Sequence, residues 1–133
     1  MKRVMVNGTF DILHRGHLDL LRFARQQGDQ LLVAIDTDRR VKELKGLSRP
    51  INNQDDRKLM LCSLRDVDIV MLFDSKEELI NIMKEYQPDI YVKGSDWNHD
   101  KPSTAHEYSK QVIYYERIPN YSTTGLIQRI TDR

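Results

Sequence analysis

Cysteine is nearly absent: Cys62 stands alone, so the chain can form no internal disulfide and no cysteine-based zinc site. That fits a reducing compartment. Long apolar runs are absent as well. The longest, residues 31–35 and 69–73, have five members, against about 20 for a membrane-spanning helix. The apolar stretch at residues 4–6 is too short for the core of a signal peptide. An excess of one charge is also missing, since 21 Lys and Arg face 20 Asp and Glu, a net +1 with His neutral. That balance favours neither a nucleic-acid partner nor a membrane surface. Phosphate binding, if present, must be local. No internal repeat, low-complexity segment or linker interrupts the chain. The expectation is a cytoplasmic protein.

What is present suits one globular domain. The chain has 133 residues, 39% hydrophobic and 31% charged, enough for a single core. Short apolar runs alternate with amphipathic stretches. Strands are expected at 4–8, 31–35, 69–73, 90–92 and 111–115. The run 31–35 is unbroken and bounded by Asp, which predicts a parallel strand covered on both faces. Helices are expected at 18–27 (with Gly28 as its stop), 38–44, 54–64, 75–86 and 122–130. Ser75 and Glu78 have capping-box spacing. In helix 54–64 the core candidates are Leu59, Met60, Leu61, Cys62 and Leu64. Residues 95–109 are polar without periodicity. The alternation predicts an α/β fold: a single Rossmann-like, doubly wound parallel sheet of about five strands, with helices on both faces. Ligands of such folds bind beyond the carboxyl ends of the strands.

The first strand exit reads Asn7-Gly8-Thr9-Phe10-Asp11-Ile12-Leu13-His14-Arg15-Gly16-His17. It is neither a P-loop nor GxGxxG. It places a glycine turn, a hydroxyl and two histidines just before a helix start, where unpaired N–H groups and the positive end of the dipole attract anions. His14 and His17 are three apart, so one turn can present both to a phosphate. Gly16 would let that phosphate approach the backbone. A pair of surface or metal-binding histidines is the plainer alternative. Ser122-Thr123-Thr124 offers cap hydroxyls at another helix start, and Lys45 is a mobile cation in a Gly/Pro loop. Asp36 and Asp38 at a strand end either cap the next helix or bind a sugar. Asp96 suits ribose hydroxyls or Mg²⁺. His99 and His106 read as solvated, Cys62 as a core thiol, Tyr114 and Tyr115 as packed strand residues.

Gly8-Thr9-Phe10-Asp11 followed by His14-x-Gly16-His17 resembles the signature of the cytidylyltransferase-like nucleotidyltransferases. Ser122-Thr123-Thr124 opens the last helix as in that family, and residues 92–97 resemble its segment after the fourth strand. Residues 44–52, leading to Arg57, look like the corresponding loop of heptose-1-phosphate adenylyltransferases. The glycerol-3-phosphate cytidylyltransferases are similar too. Trp97 stands where the heptose group has Tyr and the glycerol-phosphate group Trp. Arg117 matches an Arg of the latter group, without the acidic residue that follows it there.

The resemblance implies transfer of a nucleotide from an NTP, with ATP favoured over CTP, to a small sugar or polyol phosphate, releasing pyrophosphate, with Mg²⁺ on the nucleotide phosphates. It implies catalytic roles for His14, His17, Lys45 and Arg65. Nucleotide contacts would come from Gly8, Thr9, Phe10, Gly16, Gly94, Asp96, Arg117, Tyr121, Ser122, Thr123 and Thr124. Asp11, Asp38, Lys42, Lys93 and Trp97 would meet the acceptor. It also implies a homodimer. An acceptor phosphate is already an anion, so no strong general base is required, and positioning with charge stabilisation suffices. A nucleotide-binding regulatory module without turnover is the alternative of a different class.

Overall fold

The computed structural model describes residues 1–94, 104–116 and 122–133. Its elements run β1 (Arg3–Gly8), α1 (Arg15–Gln26), β2 (Gln30–Asp36), α2 (Asp38–Lys45), α3 (Gln54–Cys62), β3 (Ile69–Phe73), α4 (Lys76–Tyr86), β4 (Ile90–Gly94), α5 (Thr104–Tyr108), β5 (Gln111–Tyr115) and α6 (Thr123–Thr131). The five strands form one sheet in the order β3-β2-β1-β4-β5, and every pairing is parallel. The expected α/β architecture is therefore the observed one.

Alternate side chains of each strand feed two cores, because successive residues of a strand point to opposite faces. On one face Val4, Val6, Leu31, Val33, Ile35 and Val92 pack with Leu21 and Ala24 of α1 and Leu61 of α3. On the other, Met5, Leu32, Ala34 and Tyr91 meet Leu79, Ile82 and Met83 of α4 and Ala105 of α5. The apolar members of β2 are at most 2% exposed, which explains its unbroken apolar run. Each such side chain contributes about 1.5–3 kcal/mol by leaving water.

The chain winds outward from β1 through β2 to β3, then returns to place β4 on the other side of β1. That reversal opens a crevice between the carboxyl ends of β1 and β4, the usual ligand position in open α/β sheets.

Several boundaries differ from expectation. α1 begins at Arg15, one turn earlier, because His14 caps it. Gly28 is needed not as a cap but for close approach: a Cβ there would lie 2.7 Å from the Lys2 carbonyl oxygen. In α3 only Leu61 of the five core candidates is buried. Leu64 is half-buried just beyond the helix, while Leu59, Met60 and Cys62 are exposed. Consecutive positions lie about 100° apart around a helix of 3.6 residues per turn and cannot all face inward. Cys62 is thus not a core thiol. Neither Asp36 nor Asp38 caps α2: the Thr37 hydroxyl does. Ser75 caps α4, but Glu78 reaches back to the Asp74 amide rather than to Ser75. The short α5 lies within a stretch read as irregular. Tyr114 and Tyr115 are half-buried strand residues, with the Tyr115 ring 4.9 Å from Phe23. Among the described residues no helix is long and apolar enough to cross a membrane.

Candidate active site

The β1 exit is strained and firmly held. Phe10 (φ 52°) and Ile12 (φ 49°) both take the left-handed backbone conformation, which costs a non-glycine residue about 1–2 kcal/mol. A β-branched residue such as Ile12 is rare there. Such conformations persist only where the surroundings enforce them. Here they do. The Asp11 carboxylate is 1% exposed and accepts from the Ile51 and Asn52 amides at 2.6 and 2.9 Å. The Thr123 hydroxyl donates to the Asp11 carbonyl at 2.6 Å. Arg57 donates to the Thr9 carbonyl at 2.9 Å. Gly8 leaves room for the Phe10 ring, whose Cε2 would sit 3.0 Å from a Cβ at that position.

Two imidazoles follow. His14 Nδ1 accepts the Gly16 amide at 3.0 Å, and His17 Nδ1 accepts the His14 amide at 3.2 Å. The rings stack with centroids 3.9 Å apart. A ring nitrogen that accepts carries no proton, so each neutral imidazole holds its proton on Nε2. Backbone geometry thereby sets both rings as Nε2–H donors. His17 lines the cleft, with the Phe10 ring 5.2 Å away, and His14 stacks behind it. The Gly16 amide is engaged by His14, and Gly16 lies outside the cleft lining. The phosphate approach expected of Gly16 is thus not part of the cleft.

The cleft encloses about 450 Å³. One wall is the start of α6, where Ser122 Oγ accepts the Gly125 amide at 3.0 Å, and Ser122, Thr123 and Thr124 all line the cavity. Beside it stand Lys45 and Arg49, which flank the loop 46–48. That loop leaves α2 through Gly46 at φ 104°, a conformation suited to glycine. Asp36, Arg40, Phe73 and Lys93 also line the cleft. Arg40 Nε donates to Asp36 at 2.9 Å, and its guanidinium lies 5.4 Å above the Phe73 ring. Burial alone holds the Lys93 ammonium below its ordinary value. Tyr91, pushed well up by burial and then by the Asp36 carboxylate, stays protonated and donates to Asn7 Oδ1 at 2.5 Å.

Arg57 is the largest fully buried side chain among the described residues. It reaches the carbonyls of Asn52, Thr9 and Asp36 and the Asp38 carboxylate, all within 3.0 Å. It ties α3 to the exits of β1 and β2 and so fixes the floor of the site.

The structure gathers Gly8, Thr9, Phe10, Asp11, His17, Lys45, Lys93, Gly94 and the 122–124 turn around one cleft. Four expected residues are positioned or bonded otherwise than expected. Asp38 is held by Arg57. Lys42 is exposed on α2, outside the lining. Asp11 lines the cleft, but its carboxylate is spent on backbone amides rather than presented to an acceptor. Arg65 is exposed and precedes β3, so it emerges at the amino end of the sheet, away from the cleft. Asp96, Trp97, Arg117 and Tyr121, with His99, lie outside the described residues. His106 is exposed. Sequence reasoning gave no role to Asn7, Arg40, Arg49 or Phe73, and none to Arg57 beyond its place after the resembling loop. Of the lining residues around them, Asp36 carried a local signal, as a carboxylate at a strand end. Among the described residues no group of three or more His, Cys, Asp or Glu could hold a metal ion.

A cleft lined by His17, Lys45, Arg49, Lys93 and the α6 start, at the switch point of a doubly wound sheet, suits an anionic ligand, and comparison makes the class specific. A family model described as cytidylyltransferase-like matches residues 5–129. The chain belongs to that family.

Among curated relatives it is 44% identical over 127 residues to the bifunctional protein HldE of Campylobacter fetus subsp. fetus (strain 82-40), covering 96% of this chain. It is 44% identical over 131 residues to the bifunctional protein HldE of Campylobacter concisus (strain 13826), covering 98%. The chain spans about a quarter (27%) of the length of either relative. A solved lipopolysaccharide core biosynthesis protein from Thermoplasma volcanium GSS1 superposes with a TM-score of 0.75 at 27% identity. The match covers 89% of this chain and 98% of that one.

Proposed function

We propose that this domain transfers AMP from ATP to the phosphate of a small sugar phosphate such as heptose 1-phosphate, releasing pyrophosphate. An acceptor phosphate oxygen attacks the α-phosphorus, the bond to the β-phosphate oxygen breaks, and pyrophosphate leaves with that electron pair. The observation that carries the reading is the fixed Nε2–H polarity of the stacked His14 and His17, with His17 lining one cleft together with the α6 start. Donors aimed where charge develops stabilise the transferring phosphoryl group. His14 and His17 act on that group and the bridging oxygen. Lys45 and the 122–124 turn hold the β- and γ-phosphates, and Mg²⁺ bound to the triphosphate neutralises it. Lys93 and Arg40 face the acceptor.

ATP and a sugar phosphate are supported by the resemblance of residues 44–52 to the heptose enzymes and by the HldE relatives at 44% identity. Trp97 favours a second reading, CTP with glycerol 3-phosphate. The protein works in the cytoplasm as a homodimer, without nucleic-acid or membrane partners; the exposed Leu47, Leu59 and Met60 suit a subunit contact. Pyrophosphate release tests all of this when ATP and CTP are each paired with heptose 1-phosphate and glycerol 3-phosphate. ATP with the heptose phosphate is expected to be fastest. Fastest turnover of CTP with glycerol 3-phosphate would establish the second reading. Nucleotide binding without pyrophosphate would point to a regulatory module.

A further inference from the structure

Arg49 and Arg57 stand on either side of residues 50–56, and their hydrogen bonding differs sharply. Arg57, at one end, has every bond a structural guanidinium needs. Arg49, at the other, does not. Its side chain is 13% exposed and lines the cleft, yet its Nε and Nη2 are buried with no hydrogen-bond partner. The Asp11 carboxylate is 3.9 Å from Nε, beyond hydrogen-bond reach. The oxygen concerned already accepts the Ile51 amide at 2.6 Å. A buried donor left unmade costs about 1–3 kcal/mol, and more when charged. Such donors beside a cavity call for a ligand with several acceptor oxygens.

The location specifies the ligand. Asp11, the only counter-charge of Arg49 among the described residues, is bound through its carbonyl to Thr123 of the α6 start. Arg49 therefore lies near the 122–124 turn, in the same cleft as Lys45. We propose that Arg49 is a substrate-binding residue that clamps the β- and γ-phosphates of the nucleotide and the departing pyrophosphate, with Asp11 holding its charge between turnovers. This rests on the nucleotidyl-transfer reading and adds a cation that reading did not include. Phosphate oxygens match the guanidinium fork in a two-pronged contact that a lysine cannot reproduce.

The test measures binding of magnesium pyrophosphate by calorimetry, and melting of the empty protein, in wild type, Arg49→Gln and Arg49→Lys. Arg49→Gln is expected to weaken pyrophosphate binding at least about tenfold. It should leave the melting temperature of the empty protein unchanged or raised, because it removes buried charge that has no full partner. Arg49→Lys should recover part of the affinity, and the acceptor KM should stay put in both. A lower melting temperature with pyrophosphate affinity retained would show Arg49 to be structural. A shift in acceptor KM in place of pyrophosphate affinity would also overturn the assignment. Pyrophosphate release by the wild type is scored separately. If it occurs and Arg49→Gln binds pyrophosphate normally, the Arg49 proposal alone fails. If the wild type releases none with any nucleotide and acceptor, the functional reading fails and this proposal with it.

Discussion

At the amino end of the sheet, carboxylates act as staples. Asp29 accepts the Lys2 amide at 2.7 Å. Asp68 accepts the Leu31 amide at 2.8 Å and pairs with Arg25. Asp89 accepts the Arg3 amide at 2.8 Å and pairs with Lys110 at 3.0 Å. These three tie down the starts of β1 and β2. The carboxyl end uses the same residue types differently. Asp11, Asp36 and Asp38 each face an arginine, and these pairs are much more buried. There, too, a carboxylate staples backbone, as Asp11 does, but beside it stand donors not fully spent. The position of unused donors, rather than the number of ion pairs, separates the end that stabilises from the end that binds.

The sharpest way to break this contrast is at Arg57, a buried carboxyl-end arginine whose bonding resembles a staple. Arg57→Ala strands three carbonyls and the Asp38 carboxylate, and should cost about 3–5 kcal/mol of stability, the range for breaking a buried pair. Urea unfolding measures it; a loss below about 1 kcal/mol would place Arg57 with the exposed pairs. Next comes His17→Ala, which removes one aimed donor. It should lower kcat about 10²–10³-fold with a much smaller change in nucleotide affinity. Steady-state kinetics with a direct binding measurement separates the two, and an unchanged kcat would remove the imidazole pair from the mechanism.

The smallest effect is expected at the amino end, with Asp89→Asn. The Arg3 amide first, and then Lys110, hold the Asp89 carboxyl below its ordinary value of 3.8. A depressed folded value contributes stability that is fully present above the unfolded value and is lost as pH falls through the folded one. The melting-temperature gap between wild type and variant should therefore be widest near neutral pH and close in acid. A gap constant across that range would mean that Asp89 acts by packing alone.

Much of this was legible in the residues themselves. β3 and β5 fall where apolar runs 69–73 and 111–115 place them, and the histidine and Ser-Thr-Thr turns were found because their chemistry is local. α5 escaped because five residues cannot display a helical period. The face of α3 was misjudged because its apolar residues are consecutive, which leaves periodicity nothing to select. The arginines escaped for another reason. Arg57 meets Thr9 across 48 positions and Arg49 meets Asp11 across 38, and such pairings arise only when the sheet brings distant loops together. Arg65 shows the converse. A plausible sequence position at a strand's start delivers a side chain to the wrong end of the sheet.

The backbone's hold on both Nδ1 atoms has one more consequence. A ring so pinned can give a proton's hydrogen bond from Nε2 but cannot relay the proton onward through its far side. An alcohol offered as acceptor would have to shed its proton, and neither imidazole, so oriented, can take it. A phosphate has none to shed. On the proposed nucleotidyl-transfer reading, phosphorylated acceptors would be favoured over their dephosphorylated forms by which nitrogen of each histidine the main chain occupies, before pocket shape or size is consulted.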